Sequence, residues 1–240
     1  MNPPARHAAA LPRVAPVPDP APDFDPLARV YRWMEWCTFG PWLGWCRSHF
    51  LGELGHCRRA LVLGDGDGRF TARLLAANSS VAVTAVDASP AMLHLLARRA
   101  AAHAARLYTA RADARSWRPV VPASSTHFGP PYDLVVSHFF LDCLTTEEVH
   151  ALAVAVRRST ASRAVWAVSE FALPPGRLSG FLGRLLIGFL YWAFGRLTGL
   201  RVTRLPNHAR ALERAGFSLY KRRSRLGGLL ASELWLAGES

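Results

Sequence analysis

The sequence predicts an α/β protein: a mostly parallel, seven-stranded sheet with helices on both faces, ending in a C-terminal antiparallel hairpin. Short apolar runs at 60–64, 81–87, 107–112, 132–138 and 164–171 alternate with helical patterns, which is the rhythm of βαβ units. The first run opens directly onto Gly64-Asp65-Gly66-Asp67-Gly68, a glycine-rich turn where such units hold ligands. Residues 217–226 and 229–237 then read as two strands around Gly227-Gly228, so the sheet finishes in a hairpin.

Each element has a local reason. Residues 1–26 are dense in proline and alanine, have no apolar run long enough for a signal peptide, and are expected to be a disordered tail on a cytoplasmic chain. Leu27, Val30, Tyr31 and Met34 fall on one helical face; Gly40-Pro41 breaks it, and a second short helix is expected through Trp42, Trp45, Cys46, His49 and Phe50. This defines an N-terminal helical appendage over 27–57, whose tryptophans at 33, 36, 42 and 45 are expected to pack it onto a main domain of 58–240. Ser89 followed by Pro90 is an N-cap with a first-turn proline, opening a helix over 90–106. Thr145 and Glu148 form a capping-box pattern for the helix after the fourth strand, and a short helix over 206–215 is closed by Gly216.

Composition narrows the partners. The 29 basic and 17 acidic residues give a net charge of +12, which raises nucleic acid or an anionic membrane surface. Only Lys221 is a lysine and alanine is abundant, so the excess of arginine reads as the codon bias of a GC-rich genome on a solvated surface, and nucleic acid is not the expected partner. Cys37, Cys46, Cys57 and Cys143 form no CxxC pair and have no histidine at ligand spacing; neither a metal site nor a disulfide framework is expected. Nothing in the sequence fixes an oligomeric state.

The glycine loop carries the chemistry. A dinucleotide fingerprint is spaced GxGxxG, whereas Gly64, Gly66 and Gly68 are spaced GxGxG, with Arg69 where the third glycine would stand. Asp65 and Asp67 would also repel a diphosphate. A ligand with a sulfonium, an ammonium and one carboxylate meets no such objection, because backbone amides can take its carboxylate while loop acids face its cationic end. From about residue 58 to the end, the chain resembles the class I S-adenosyl-L-methionine-dependent methyltransferases, on a Rossmann-like sheet. "VTAVDASPAML" followed by "RADA" resembles the branch that includes the ubiquinone and menaquinone C-methyltransferases. The resemblance implies that Gly64, Asp65, Gly66 and Gly68 surround the methionine moiety of the cofactor and that Asp87, with Ala88 beside it, accepts from both ribose hydroxyls. It further implies that Met92 lies against the adenine and that Asp113, with Ala114, accepts from its amino group. The family commonly has an acid two places before the first glycine; here Val62 stands there, and Asp65 or Asp67 is expected to take over part of its task. A non-catalytic cofactor-binding module is the alternative that this departure raises.

Methyl transfer needs mainly a held acceptor, with a base only if a proton must leave. The acceptor end of the fourth strand reads Ser137-His138-Phe139-Phe140, followed by Asp142, so His138 and Asp142 are candidate catalytic groups and Phe139 a candidate acceptor contact. Pro130-Pro131-Tyr132 has the letters of an amino-methyltransferase motif but lies at the wrong end of that strand, which weighs against the alternative of RNA or protein methylation. Residues 176–204 form an apolar helical insertion in which the uncharged portion between Arg184 and Arg196 is 11 residues, too short to span a membrane. Phe189, Tyr191, Trp192 and Phe194 are candidate walls for a small hydrophobic acceptor, quinone-like or lipid-like, and the flanking arginines would suit peripheral contact with the inner membrane face.

Overall fold

The structure is a computed structural model and describes residues 39–113, 115–116, 128–198 and 202–239; the expected tail, the first appendage helix and Ala114 lie outside the described residues, as does the side chain of Phe194. Seven strands, β1 Arg59–Leu63, β2 Ala82–Asp87, β3 Leu107–Arg111, β4 Tyr132–His138, β5 Thr160–Phe171, β6 Phe217–Arg225 and β7 Leu230–Ala237, form one sheet in the order β3-β2-β1-β4-β5-β7-β6. The first five run parallel, and β7 pairs antiparallel with both β5 and β6. The order in which strands are added reverses at β1, from β3-β2-β1 on one side to β4-β5 on the other, which opens a crevice at the carboxyl ends of β1 and β4.

Strand alternation builds two cores. Ala60, Val62, Leu134 and Val136 face α2 Arg69–Ala77 and α3 Pro90–Arg99, whose Phe70, Leu74, Leu75 and Leu96 are buried against them. Leu61, Leu63, Val135 and Trp166 face α4 Thr146–Arg157 and α6 His208–Arg214. The expected caps are present: Ser89 Oγ accepts from Met92 N at 3.1 Å, and Thr145 and Glu148 close a reciprocal box. The helix expected over 90–106 ends at Arg99 and continues as a 3₁₀ segment over Ala101–Arg106. There Arg106 donates to the carbonyls of Leu75, Asn78 and Val81, which ties the segment to the foot of β2. Strand β5 begins at Thr160, earlier than the apolar pattern from 164 indicates, because its first residues are polar and partly exposed.

Two further helices sit over the carboxyl ends of the strands. The short α1 Trp42–Ser48 is clamped by its Cys46 carbonyl, which accepts from Ser169 Oγ of β5 at 3.1 Å and Ser232 Oγ of β7 at 3.0 Å. Trp45 of the same helix lies under the Arg225 guanidinium, 4.3 Å from the ring centre. The long α5 Arg177–Thr198 occupies the expected insertion and rests on α1 and β7 through Ile187, with Leu190 and Tyr191 beside it.

Candidate functional site

The glycine loop answers the question that its aspartates raise. Gly64, Gly66 and Gly68 have φ of 63°, 59° and 78°, the left-handed region that glycine adopts without cost. A Cβ on Gly64 would run into the ring of Phe140, and one on Gly68 would lie 2.6 Å from Leu96 Cα, so both positions also depend on glycine for packing. Asp65 Oδ2 accepts from Thr71 N at 2.8 Å, in the first turn of α2. A carboxylate therefore already fills the helix-terminal place where a diphosphate would rest. Burial raises the Asp65 carboxyl above its ordinary range, and among the described residues its Oδ1 has no hydrogen-bond partner. Asp67 is bound by Arg69 at 2.8 Å and Arg99 at 3.0 Å, which commits both cations to it. Val62, where an acid is common in the family that the sequence resembles, is fully packed in the core.

Asp87 ends β2 beside this loop. Its Oδ1 accepts from Ser89 N at 2.9 Å, the amides of Gly66 and Ala88 also donate to the carboxyl, and burial still pushes the group up to about 6. A half-buried carboxylate held by three amides one strand from the switch point suits a vicinal diol, to which its remaining lone pairs can accept. Met92 is buried one turn into α3. Asp113 is chelated by Arg115, whose Nη2 lies 2.7 Å from Oδ2 and whose Nε lies within 3.1 Å of both oxygens. Burial acts upward on the Asp113 carboxyl, but these bonds outweigh it and hold the pKa below the ordinary value.

The acceptor-side candidates divide. His138 points into the α2 core, edge-on to Phe70 at 4.6 Å, and among the described residues neither ring nitrogen has a hydrogen-bond partner. Burial, with Arg47 nearby, lowers its pKa to about 3, so the imidazole is neutral at physiological pH and a weak base. Asp142 lies in the short turn after β4, Leu141–Cys143, where burial raises it to about 6. Tyr191 Oη donates to the Asp142 carbonyl at 2.9 Å, so α5 does reach the end of β4. Phe139 takes a positive φ of 54° and packs its ring on Phe171 at 5.2 Å, with Arg47 over it. Phe189 and Trp192 are not brought to this place: they stack on each other at 5.8 Å and remain 59% and 61% exposed.

Sequence reasoning missed Glu170. It is buried at the end of β5, its Oε1 accepts from Phe140 N at 3.2 Å and Leu141 N at 2.8 Å, and it holds the turn that lays Phe140 on Gly64. Burial and the neighbouring Asp142 raise its carboxyl well above the ordinary range. The signal was a lone acid two residues after the apolar run 164–168 of that strand. Glu233 carries the same signal in β7, where it accepts from His208 Nε2 at 3.0 Å and Trp235 Nε1 at 2.8 Å and ties α6 to the sheet. Pro130 and Pro131 precede the first residue of β4, at the end of the strand away from the crevice.

The arrangement is a Rossmann-like methyltransferase fold: a seven-stranded sheet, parallel apart from its C-terminal antiparallel pair, with a glycine turn after β1 and an acid at the end of β2. Residues 61–165 match a family model described as a methyltransferase domain. Among solved structures, the chain is similar to an O-methyltransferase family protein from Burkholderia thailandensis, with a TM-score of 0.65 and 15% identity over 90% of this chain and 59% of that one. It is also similar to the mitomycin 7-O-methyltransferase MmcR, with a TM-score of 0.63 and 13% identity over 90% of this chain and 61% of that one. The S-adenosylmethionine-dependent methyltransferase SibL gives a TM-score of 0.62 and 18% identity over 93% of this chain and 64% of that one. The chain thus spans about three fifths of the length of these structures. A search of curated protein sequences found no match.

Proposed function

We propose that the chain transfers a methyl group from S-adenosyl-L-methionine to an oxygen or carbon of a small hydrophobic acceptor. The observation that carries this reading is the pairing of a half-buried, amide-held Asp87 with a glycine loop whose helix terminus is already filled by Asp65. Such a loop accepts a ribose and a cationic amino acid and disfavours a diphosphate. Asp87 would hold the ribose hydroxyls, the loop from Gly64 to Gly68 the methionine carboxylate, and the unpartnered Asp65 Oδ1 the ammonium that an acid at position 62 would otherwise meet. Ala88 and Met92 would border the adenosine, with Asp113 and Ala114 at its base end. When bound, the cofactor supplies a methyl group already activated on a sulfonium, so the protein's task is to orient the acceptor and keep water out.

Phe139 and Tyr191 supply apolar surface for that acceptor, and the half-buried Asp142 beside them, with a pKa near 6, suits removal of a proton from a phenolic hydroxyl better than His138 does. In this reading residues 58–240 form the transfer domain, and the appendage of 27–57 closes its acceptor side through α1. The finer placement in the quinone C-methyltransferase branch rests on the resemblance of "VTAVDASPAML" and "RADA"; the O-methyltransferase neighbours favour oxygen. The test is transfer of a labelled methyl group from the cofactor to a panel of quinols, phenols, transfer RNA and a protein extract. Label in the quinols or phenols is expected, and label in RNA or protein alone would overturn the proposal.

A further inference from the structure

Helix α5 is packed the wrong way round for a surface helix of a protein that meets only water. Its inward stripe is Gly180, Gly183 and Ile187, with Leu190 and Tyr191 partly buried below them. A Cβ on Gly183 would lie 2.7 Å from Pro174 Cδ, so small residues allow the helix to lie close against the body. The large apolar side chains are on the other side: Leu178 is 72% exposed, and Phe181, Leu182, Leu185, Phe189 and Trp192 are all more than half exposed. They form a continuous apolar strip along a helix about 33 Å long.

Charge says what the strip meets. From 171 to 232 the sequence contains one acidic residue, Glu213, against eleven lysines and arginines, a far stronger imbalance than in the rest of the chain. Arg177, Arg184 and Arg196 punctuate α5 itself, and among the described residues none of them is paired with a carboxylate. Arg196 lies over the Trp192 ring, 6.0 Å from its centre, an aromatic and a cation together at one end of the strip. Leu226 in the adjoining hairpin is also exposed, and Gly228 beside it packs on Pro174 and Pro175 at the foot of α5. A second copy of the same helix would bring arginines against arginines, which is costly without acids to separate them. Among the described residues no helix is long and apolar enough to cross a membrane.

We infer that the exposed strip of α5 lies in the headgroup region of an anionic lipid bilayer, with Leu178, Phe181, Leu182 and Leu185 inserted among the acyl chains and the arginines reaching lipid phosphates. This does not depend on the methyl-transfer reading, because it rests on a face of α5 turned away from the crevice.

The experiment is flotation of the full chain with vesicles of phosphatidylcholine alone or with phosphatidylglycerol added. The protein is expected to float with the anionic vesicles and to remain unbound with the neutral ones, and raised salt is expected to weaken the binding. Phe181→Ser with Leu185→Ser, and separately Arg177→Glu with Arg184→Glu, should each lower the partition coefficient by about tenfold or more at an unchanged melting midpoint. On the unsubstituted protein, lipids brominated along the acyl chain should quench tryptophan emission. Failure to float with anionic vesicles would overturn the inference. So would equal binding to neutral and anionic vesicles, or a lipid-independent dimer that the same substitutions dissolve.

Discussion

The two ends of the crevice are built differently. On the cofactor side, the groups that matter lie within short stretches of sequence: Gly64 to Gly68 form one loop, Asp65 bonds Thr71 six residues on, and Asp87 bonds Ser89. On the acceptor side, almost every contact is long-range: Glu170 holds Phe140 and Leu141 across 30 and 29 residues, Tyr191 reaches Asp142 across 49, and Ser169 and Ser232 reach Cys46 across 123 and 186. The first end is built from short stretches that a few further contacts join, such as the Gly66 amide on Asp87 and Arg99 on Asp67. The second exists only once β5, β7, α1 and α5 have assembled, so in the proposed reading acceptor choice would rest on long-range packing, which meets the loop where Phe140 lies on Gly64.

Glu170 joins the two ends, since it holds the turn that carries Phe140 onto Gly64. Glu170→Ala leaves two backbone amides without their acceptor and is expected to destabilise the protein by about 2–4 kcal/mol, whereas Glu170→Gln keeps an acceptor oxygen and is expected to cost less than about 1 kcal/mol. Urea unfolding of the two variants checks this, and equal losses would mean that Glu170 does not hold the turn. Gly64→Ala places a methyl group against Phe140 at a φ of 63° and is expected to cost about 1–3 kcal/mol by the same measurement. An unchanged midpoint would show that the loop and the Phe140 turn are not in contact.

The smallest effect is one of pH. The Asp87 carboxyl is raised to about 6, so the folded protein holds that proton more tightly than the unfolded chain. The stabilisation this gives is complete below the ordinary carboxyl value near 4 and is lost as pH rises through about 6. Cofactor binding has the opposite dependence, because ribose hydroxyls donate to the ionised form. Affinity for the cofactor is expected to weaken by about tenfold between pH 7.5 and pH 5, and Asp87→Asn should flatten that profile. A profile that keeps its slope in Asp87→Asn would assign the titration to another group.

The same contrast explains what could be read from the sequence. The strands show in the apolar runs and the caps in Ser89-Pro90 and in Thr145 with Glu148, because periodicity and capping are local properties. The polar start of β5 and the early end of α3 were hidden, since pairing with β4 decides the first and long-range bonds from Arg106 accompany the second. His138 attracts attention in the sequence as a titratable group in the right place, yet strand alternation turns it into the core beside Phe70. Glu170 is hidden for the converse reason: it stands in a strand, and only the fold shows the turn that it holds.

The central claim is that the loop and Asp87 receive S-adenosyl-L-methionine and not a dinucleotide. Calorimetric titration of the full chain with S-adenosyl-L-methionine, S-adenosylhomocysteine and NADH, with Asp87→Ala as the control, tests it most directly. The account predicts binding of the first two, loss of at least about a hundredfold in the variant, where the acceptor for two hydroxyls is gone, and no binding of NADH. Binding of NADH, or binding of the methyl donor that Asp87→Ala leaves intact, would contradict it.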